Sequence, residues 1–257
     1  MIPVKTEAEL AKMRRAGRIA GELLDWLGEA IKPGITTGEL DRIAHRFIRQ
    51  QGATPSFLHY NGYPASICAS VNDEVVHGIP GERMLREGDI IGVDVGVCWQ
   101  GYHGDTCRTY PVGEISTEAA RLIRVTEECF FLGADMARSG NRLSDISHAV
   151  QVHAEENGYS VVRALTGHGI GKQLHEDPSI PNYGPPGRYE VLKPGMTLAI
   201  EPMINQGRHP VDFSQTNGWT VTTRDGGLSS HYEHTVLVTE GEPELLTLSP
   251  GQGRREP

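Results

Sequence analysis

A chain of 257 residues, 38% hydrophobic and 22% charged, has an ordinary soluble composition and enough length to bury a sizeable core. Its net charge of −9, from 24 basic and 33 acidic residues, excludes general nucleic-acid binding, which needs a basic footprint. No apolar run approaches the roughly 20 residues that span a bilayer, and the start MIPVKTEAEL lacks the apolar stretch of a secretory signal. Four dispersed cysteines (Cys68, Cys98, Cys107, Cys129) read as reduced thiols, so a cytoplasmic protein without membrane contact is expected.

Thr6-x-x-Glu9 has the form of a capping box and opens an amphipathic helical run to about Ile31. Lys12, Arg14, Arg15 and Arg18 cluster on that run. A solvated helix face is the expected account of them, a transient ribosome contact the rarer one. Pro33-Gly34 ends the run, and Thr36-x-x-Glu39 opens a second helix with Leu40, Ile43, Phe47 and Ile48 on one face. Strand-like runs follow at 67–71, 90–97 and 102–109, then helical patterns at 117–138 and 144–157. Further strands are expected at 197–204, 219–223 and 231–239, with a Pro/Gly-rich loop at 177–187 and a disordered tail at 249–257.

This order reads as an internal duplication. Residues 85–94 (LREGDIIGVD) match 192–201 (LKPGMTLAIE) in pattern, His77-Gly78-Ile79 precedes the first as His168-Gly169-Ile170 precedes the second, and the helix starts Thr6-Glu-Ala and Thr117-Glu-Ala echo each other. The match sets Asp94 and Glu201 at equivalent strand positions.

A hairpin symmetric about Trp99-Gln100 would set Asp94 opposite Asp105 on one face. Like charges directly opposite destabilise a ladder; at about 4 Å and an effective dielectric near 20 the repulsion is on the order of 4 kcal/mol. Gly92 and Gly96 leave room beside Asp94, and a cation held between the carboxylates would resolve the conflict. Taken alone, the pair is equally well explained by a hydrated, solvent-facing strand. Glu201 and Glu233, however, also lie in apolar strands where a charge is rarely buried unless paired or metal-bound. His168 stands among Gly167, Gly169 and Gly171, where a lone histidine is more often a loop residue. Together, Asp94, Asp105, His168, Glu201 and Glu233 offer four carboxylates and one imidazole, whose charge balances two divalent cations. Such oxygen-rich ligation suits Mn, Fe or Co better than tetrahedral Zn, which stays a further occupant. His175-Glu176-Asp177-Pro178 is not a helical zincin motif, because Pro178 stops the helix such a motif needs.

At these residues the chain resembles the type I methionine aminopeptidases, metallopeptidases of the pita-bread fold, in their short bacterial form. The resemblance runs from the first helix to Thr239 on the segments Ser70-Val-Asn-Asp-Glu-Val-Val-His77-Gly-Ile-Pro80, Gly92-Val-Asp94-Val-Gly96, Gly104-Asp105, Gly167-His168-Gly-Ile-Gly171, Glu201-Pro-Met203, Gly218-Trp219-Thr220 and Tyr232-Glu233-His234-Thr235. It implies an α+β fold, a curved antiparallel sheet covered by helices, in a single catalytic domain of residues 1–248 with pseudo-repeats near 5–112 and 113–240. It implies that Asp105 and Glu233 bridge two divalent cations, that Asp94 binds one, and that His168 and Glu201 bind the other. Glu201 would then move the proton, His175 stabilise the oxyanion and His77 bond the substrate amide. The methionine pocket would consist of Phe57, Tyr60, Tyr63, Cys68, Leu174 and Trp219, with departures from the commonest family pattern at Phe57 and Leu174. Asn72 and Ser229, with the backbone near Glu74, match a monovalent-cation site of the family, although a plain turn role suits Asn72 equally.

The activity so implied is removal of the initiator methionine from nascent chains whose second residue is small, by a monomeric hydrolase. The alternatives are a proline-directed peptidase of the prolidase or aminopeptidase P type, which usually carries an extra N-terminal domain, and a non-catalytic pita-bread binding module.

Overall fold

The computed structural model describes residues 2–249. Only Ser249 of the tail expected to be disordered falls within them, and it is buried; 250–257 lie outside the described residues. Four helices form where the apolar periodicity places them: α1 Glu7–Ala30, α2 Thr37–Gln50, α3 Thr117–Asp135 and α4 Leu143–Glu156. At α2 the capping box is complete. Thr36 Oγ1 accepts from the Glu39 N–H at 3.2 Å, and the Glu39 carboxylate accepts from the Thr36 N–H at 2.9 Å. Helix α1 buries Leu10, Met13, Ala20, Leu24 and Leu27 along one stripe. Its basic residues are partly engaged within the chain, Arg14 by Glu244 at 2.7 and 2.8 Å and Arg15 by Gln51 at 2.9 Å.

The main sheet runs in the order Thr54–Pro55, Ile90–Trp99, Tyr102–Pro111, Glu233–Leu237, Thr197–Ile200, Gly167–Gly169, Glu176–Ile180. Cys68–Val71 also pairs with Ile90–Trp99, and Glu244–Leu245 with Glu233–Leu237. All of these pairings are antiparallel. The period of two then divides the sheet into two faces. Ile91, Val93, Val95 and Val97 pack with α1 and α2, while Leu198, Ile200 and Val236 pack with Phe130 of α3. Asp94, Asp105, Cys107 and Glu233 therefore point to the other face. Two three-stranded sheets lie off this path.

Helix α1 approaches the sheet closely enough that a side chain at Gly17 would strike the main-chain oxygen of Leu246, and one at Gly104 the backbone of Gly17. Gly17→Ala gains about 1 kcal/mol of helix propensity but overpacks against immobile backbone, which typically costs 1–3 kcal/mol. We expect a lower urea midpoint with an unchanged denaturant slope; a raised midpoint would contradict the close approach.

The duplication is visible in the backbone. Gly88 and Gly195 share φ values of 89° and 88°, and they donate to Val112 O and Val238 O respectively. Leu85 and Leu192 each exchange backbone bonds with the segment before the second helix of their half: Leu85 with Gly34 and Ile35, Leu192 with Gly140 and Asn141.

Several expectations need correction. The hairpin turn is the two-residue Gln100-Gly101, both at positive φ (49° and 76°), a conformation that suits the strand twist. It pairs Trp99 with Tyr102, hence Asp94 with Cys107 and Asp105 with Gly96. The two carboxylates are diagonal neighbours, not direct partners, but a shift of two keeps them on one face. The run 197–204 breaks at Glu201-Pro202 into Thr197–Ile200 and Met203–Asn205, and 231–239 breaks into Ser229–His231 and Glu233–Leu237. Part of the supposed loop at 177–187 belongs to the edge strand Glu176–Ile180.

Candidate metal centre

Two adjacent rows of the sheet build the site. In one row Cys68 pairs with Asp94, Asp94 with Cys107, and Cys107 with Glu233. In the next, Gly96 pairs with Asp105, Thr235 Oγ1 bonds both the N–H and C=O of Asp105 at 2.9 Å, Thr235 pairs with Ala199, and Ala199 with His168. Rows two residues apart share a face, so residues far apart in sequence meet there. Glu201 joins them where its strand ends before Pro202, which has no N–H to continue a ladder. A Cβ at Gly167 would strike Ala199 O and sit 3.3 Å from Glu201 Cγ, so only glycine leaves that carboxylate its place.

One ligand atom each from Asp105, His168 and Glu233 lies within 4.8 Å of the others. His168 Nε2 is 3.6 Å from Glu201 Oε1 and 4.0 Å from Asp105 Oδ2. Asp105 and Glu233 are buried, and Asp94 Oδ1, Asp105 Oδ1 and Glu233 Oε1 have no hydrogen-bond partner among the described residues. Burial raises the Asp105 carboxyl to about 7. Burial, reinforced by neighbouring carboxylates, pushes Asp94, Glu201 and Glu233 well above the usual range. Burial, with His175 adding to it, lowers His168 to about 3. The His168 Nδ1–H donates to Gly169 O at 2.8 Å, so the neutral ring turns a lone pair at Nε2 toward the carboxylates. Lone pair facing lone pairs, with buried oxygens orphaned, is a donor set that fits a hard divalent cation.

A cavity of about 240 Å³ opens above this cluster. All the expected pocket residues (Phe57, Tyr60, Tyr63, Cys68, Leu174 and Trp219) line it, as do His77 and His175. The Tyr63 hydroxyl lies at 3.1 and 3.0 Å from Ile67 O and Gly78 O, which fixes the ring, and that ring meets Trp219 edge-on at 5.1 Å. Gly96 was expected from the sequence to leave room for a ligand, and it does not. A Cβ there would sit 2.6 Å from the Phe57 ring, so the space is taken by Phe57. His175 shares a 2.7 Å hydrogen bond with the Tyr60 hydroxyl and lies against His168 with ring centroids 4.1 Å apart. Burial, with a smaller contribution from His175, lowers His77 to about 4.

Asn72, Glu74 and Ser229 have side chains already engaged. Asn72 bonds Asp89 and the Ile90 N–H, Glu74 accepts from the Val71 N–H and Arg83, and Ser229 donates to Asn205. These bonds brace strand ends, a turn role for Asn72 that leaves the backbone oxygens of this corner outside the account.

Sequence reasoning missed two contributors. Lys5 forms a buried 2.7 Å ion pair with Glu176, which anchors the residue beside His175. His231 lies 3.7 Å from Glu201 Oε2 and 3.9 Å from Glu233 Oε2. The only signal for His231 was its place two residues before Glu233.

A profile of metallopeptidase family M24 matches residues 11–240. The methionine aminopeptidase of Clostridium acetobutylicum is 55% identical over 249 residues, which cover 96% of this chain and 99% of that one. The crystal structure of methionine aminopeptidase from Rickettsia prowazekii superimposes with a TM-score of 0.95 at 46% identity, covering 96% of this chain and 100% of the other. Prolidase from Pyrococcus furiosus, at 23% identity, a TM-score of 0.77 and coverage of 98% and 66%, shares the fold alone. No described helix is long and apolar enough to cross a membrane. The chain belongs to metallopeptidase family M24, and within it to the bacterial methionine aminopeptidases.

Proposed function

We propose that the chain hydrolyses the first peptide bond of proteins that begin with methionine, when the second residue is small, with two divalent cations held by Asp94, Asp105, His168, Glu201 and Glu233. The observation that carries this reading is the convergence of those five side chains, with orphaned buried oxygens, on the floor of a cavity walled by Phe57, Tyr63, Leu174 and Trp219. When bound there, the cations would lower the pKa of a shared water and polarise the scissile carbonyl.

The chain's own groups supply the rest. Glu201 takes the proton lost by the attacking water and delivers it to the departing amine nitrogen. In the tautomer this role needs, His175 Nδ1 accepts from the Tyr60 O–H across their 2.7 Å contact, and Nε2–H stabilises the developing oxyanion. His77, kept neutral by burial, bonds the substrate amide on the leaving side. At about 30 Å³ per water the cavity equals roughly eight waters, space for one long unbranched side chain rather than a stretch of polypeptide. The aromatic walls add sulfur–aromatic contact worth about 0.3–1.5 kcal/mol.

Oxygen-rich ligation favours Fe, Mn or Co over Zn, and the reading includes a cytoplasmic monomer acting on nascent chains. Metal-loaded protein should cleave Met-Ala-Ser and leave X-Pro peptides intact. Preference for X-Pro would assign the site to the proline-directed relatives, and inertness toward both would overturn a catalytic role.

A further inference from the structure

Beside Glu201 and Glu233 stands an imidazole that the hydrolytic roles above leave unused. His231 is the last residue of the strand Ser229–His231, where it pairs with Met203. Its backbone is clamped by one hydroxyl: Thr109 Oγ1 accepts from its N–H at 3.0 Å and donates to its C=O at 2.9 Å. The side chain is 3% exposed, and Nε2 has no hydrogen-bond partner among the described residues. An unpartnered buried ring nitrogen is costly, so its surroundings merit an explanation.

Those surroundings are two carboxylates, each divided in the same sense. The Oε2 atoms of Glu201 and Glu233 face His231 Nε2 at 3.7 and 3.9 Å. Glu201 Oε1 faces His168 Nε2 at 3.6 Å, and Glu233 Oε1 is one of the orphaned buried oxygens. Both side chains thus stand between two imidazoles with unlike tasks. His168 has used its N–H on Gly169 O and presents a lone pair. His231 is free to carry its proton on Nε2, where the two Oε2 atoms stand as acceptors.

We propose that His231 is a positioning residue of the metal centre. As the cation binds, its Nε2–H closes on the Oε2 atoms, which stand at 3.7 and 3.9 Å without it, and holds the Oε1 atoms of Glu201 and Glu233 toward the cation they share with His168. This rests on the metal-dependent reading above. An outer partner that orients two ligand carboxylates at once should matter chiefly to the cation held by Glu201 and His168, and less to the one held by Asp94. Hydrogen bonds of this kind typically govern about 10–100-fold in metal affinity.

The test is calorimetric titration of metal-free protein with Mn²⁺, for the parent and for His231→Leu, His231→Asn and His231→Gln. Leucine has no donor, the asparagine amide is too short to reach, and the glutamine amide extends as far as Nε2. We expect two equivalents bound by the parent, the second equivalent weakened about 10–100-fold in the leucine and asparagine variants, and recovery close to the parent in the glutamine variant. If leucine does not fold, as judged by circular dichroism, the asparagine–glutamine comparison decides. Parent-like binding by asparagine or leucine would overturn the proposal, as would a glutamine variant as weak as asparagine, which would make the imidazole itself a ligand. A parent chain that binds no Mn²⁺ would instead sink the metal-dependent reading.

Discussion

Asp105→Ala and Glu233→Ala should each yield a folded chain that no longer holds divalent cations and keeps only a trace of peptidase activity. Asp105 and Glu233 occupy adjacent rows of the sheet, and with His168 they bring ligand atoms within 4.8 Å of one another, so either loss removes a shared corner of the cluster. Loss of one strong transition-state stabiliser costs about 4 kcal/mol, or about 10³-fold in rate, and loss of a cation should exceed that. Stability should move the other way. In the metal-free chain Asp105 Oδ1 and Glu233 Oε1 are buried without a hydrogen-bond partner among the described residues, so removing either carboxyl relieves an uncompensated desolvation. With chelator present, each variant should therefore melt at or above the parent; with Mn²⁺ present the parent alone should gain. Met-Ala-Ser hydrolysis and thermal unfolding read both effects. Undiminished activity in either variant would refute the assignment of the site.

Much of this centre was legible before any coordinates. The apolar periodicity placed four helices to within a few residues, and the echo of residues 85–94 in 192–201 reappears as matched turns at Gly88 and Gly195. Of the five proposed ligands, Asp94, Glu201 and Glu233 were visible because a charge in an apolar strand needs a reason to be there, Asp105 through the hairpin that faces Asp94, and His168 only in the company of the other four. What stayed hidden depended on geometry that residue types do not encode. Register in the central hairpin hinges on whether Gln100 accepts a positive φ, which a non-glycine residue does at a cost, so a turn one position earlier looked equally good and shifted the pairing by two. The break at Glu201-Pro202 was readable from the proline, but its use, swinging Glu201 out of the ladder, was not. Gly96 was read as space for a ligand because a glycine's neighbour is unknowable from sequence; the neighbour is the Phe57 ring. His231 gave no signal beyond its place two residues before Glu233, since its importance lies in two carboxylate oxygens that tertiary folding brings to it.

Cation uptake should release protons and strengthen steeply with pH up to about 7. His168, at about 3, is neutral in the metal-free chain at any working pH, so it costs no proton when it binds. The carboxyls differ. Burial holds Asp105 at about 7 against an ordinary 3.8, and it raises Asp94, Glu201 and Glu233 as well. A cation must displace those protons; the Asp105 proton alone costs about tenfold in affinity per pH unit below 7, or about 100-fold by pH 5, and the other raised carboxyls add to it. The sign for stability follows from linkage. A carboxyl whose folded pKa is raised stabilises the metal-free fold below 3.8, and that contribution is lost as pH rises through about 7. The buried histidines act oppositely. His77 at about 4, and His231 and His234 at about 3, lie below the ordinary 6.5, so their contribution is lost as pH falls. A single melting curve against pH mixes these trends, whereas the difference between Mn²⁺-loaded and chelated protein removes groups that no cation perturbs. That difference should be small near pH 5.5 and grow toward pH 7.5, with calorimetry at intermediate pH showing net proton release. Curves that run parallel across this range would mean that no buried carboxyl gives up a proton to the cation, and that the cluster is not where it binds.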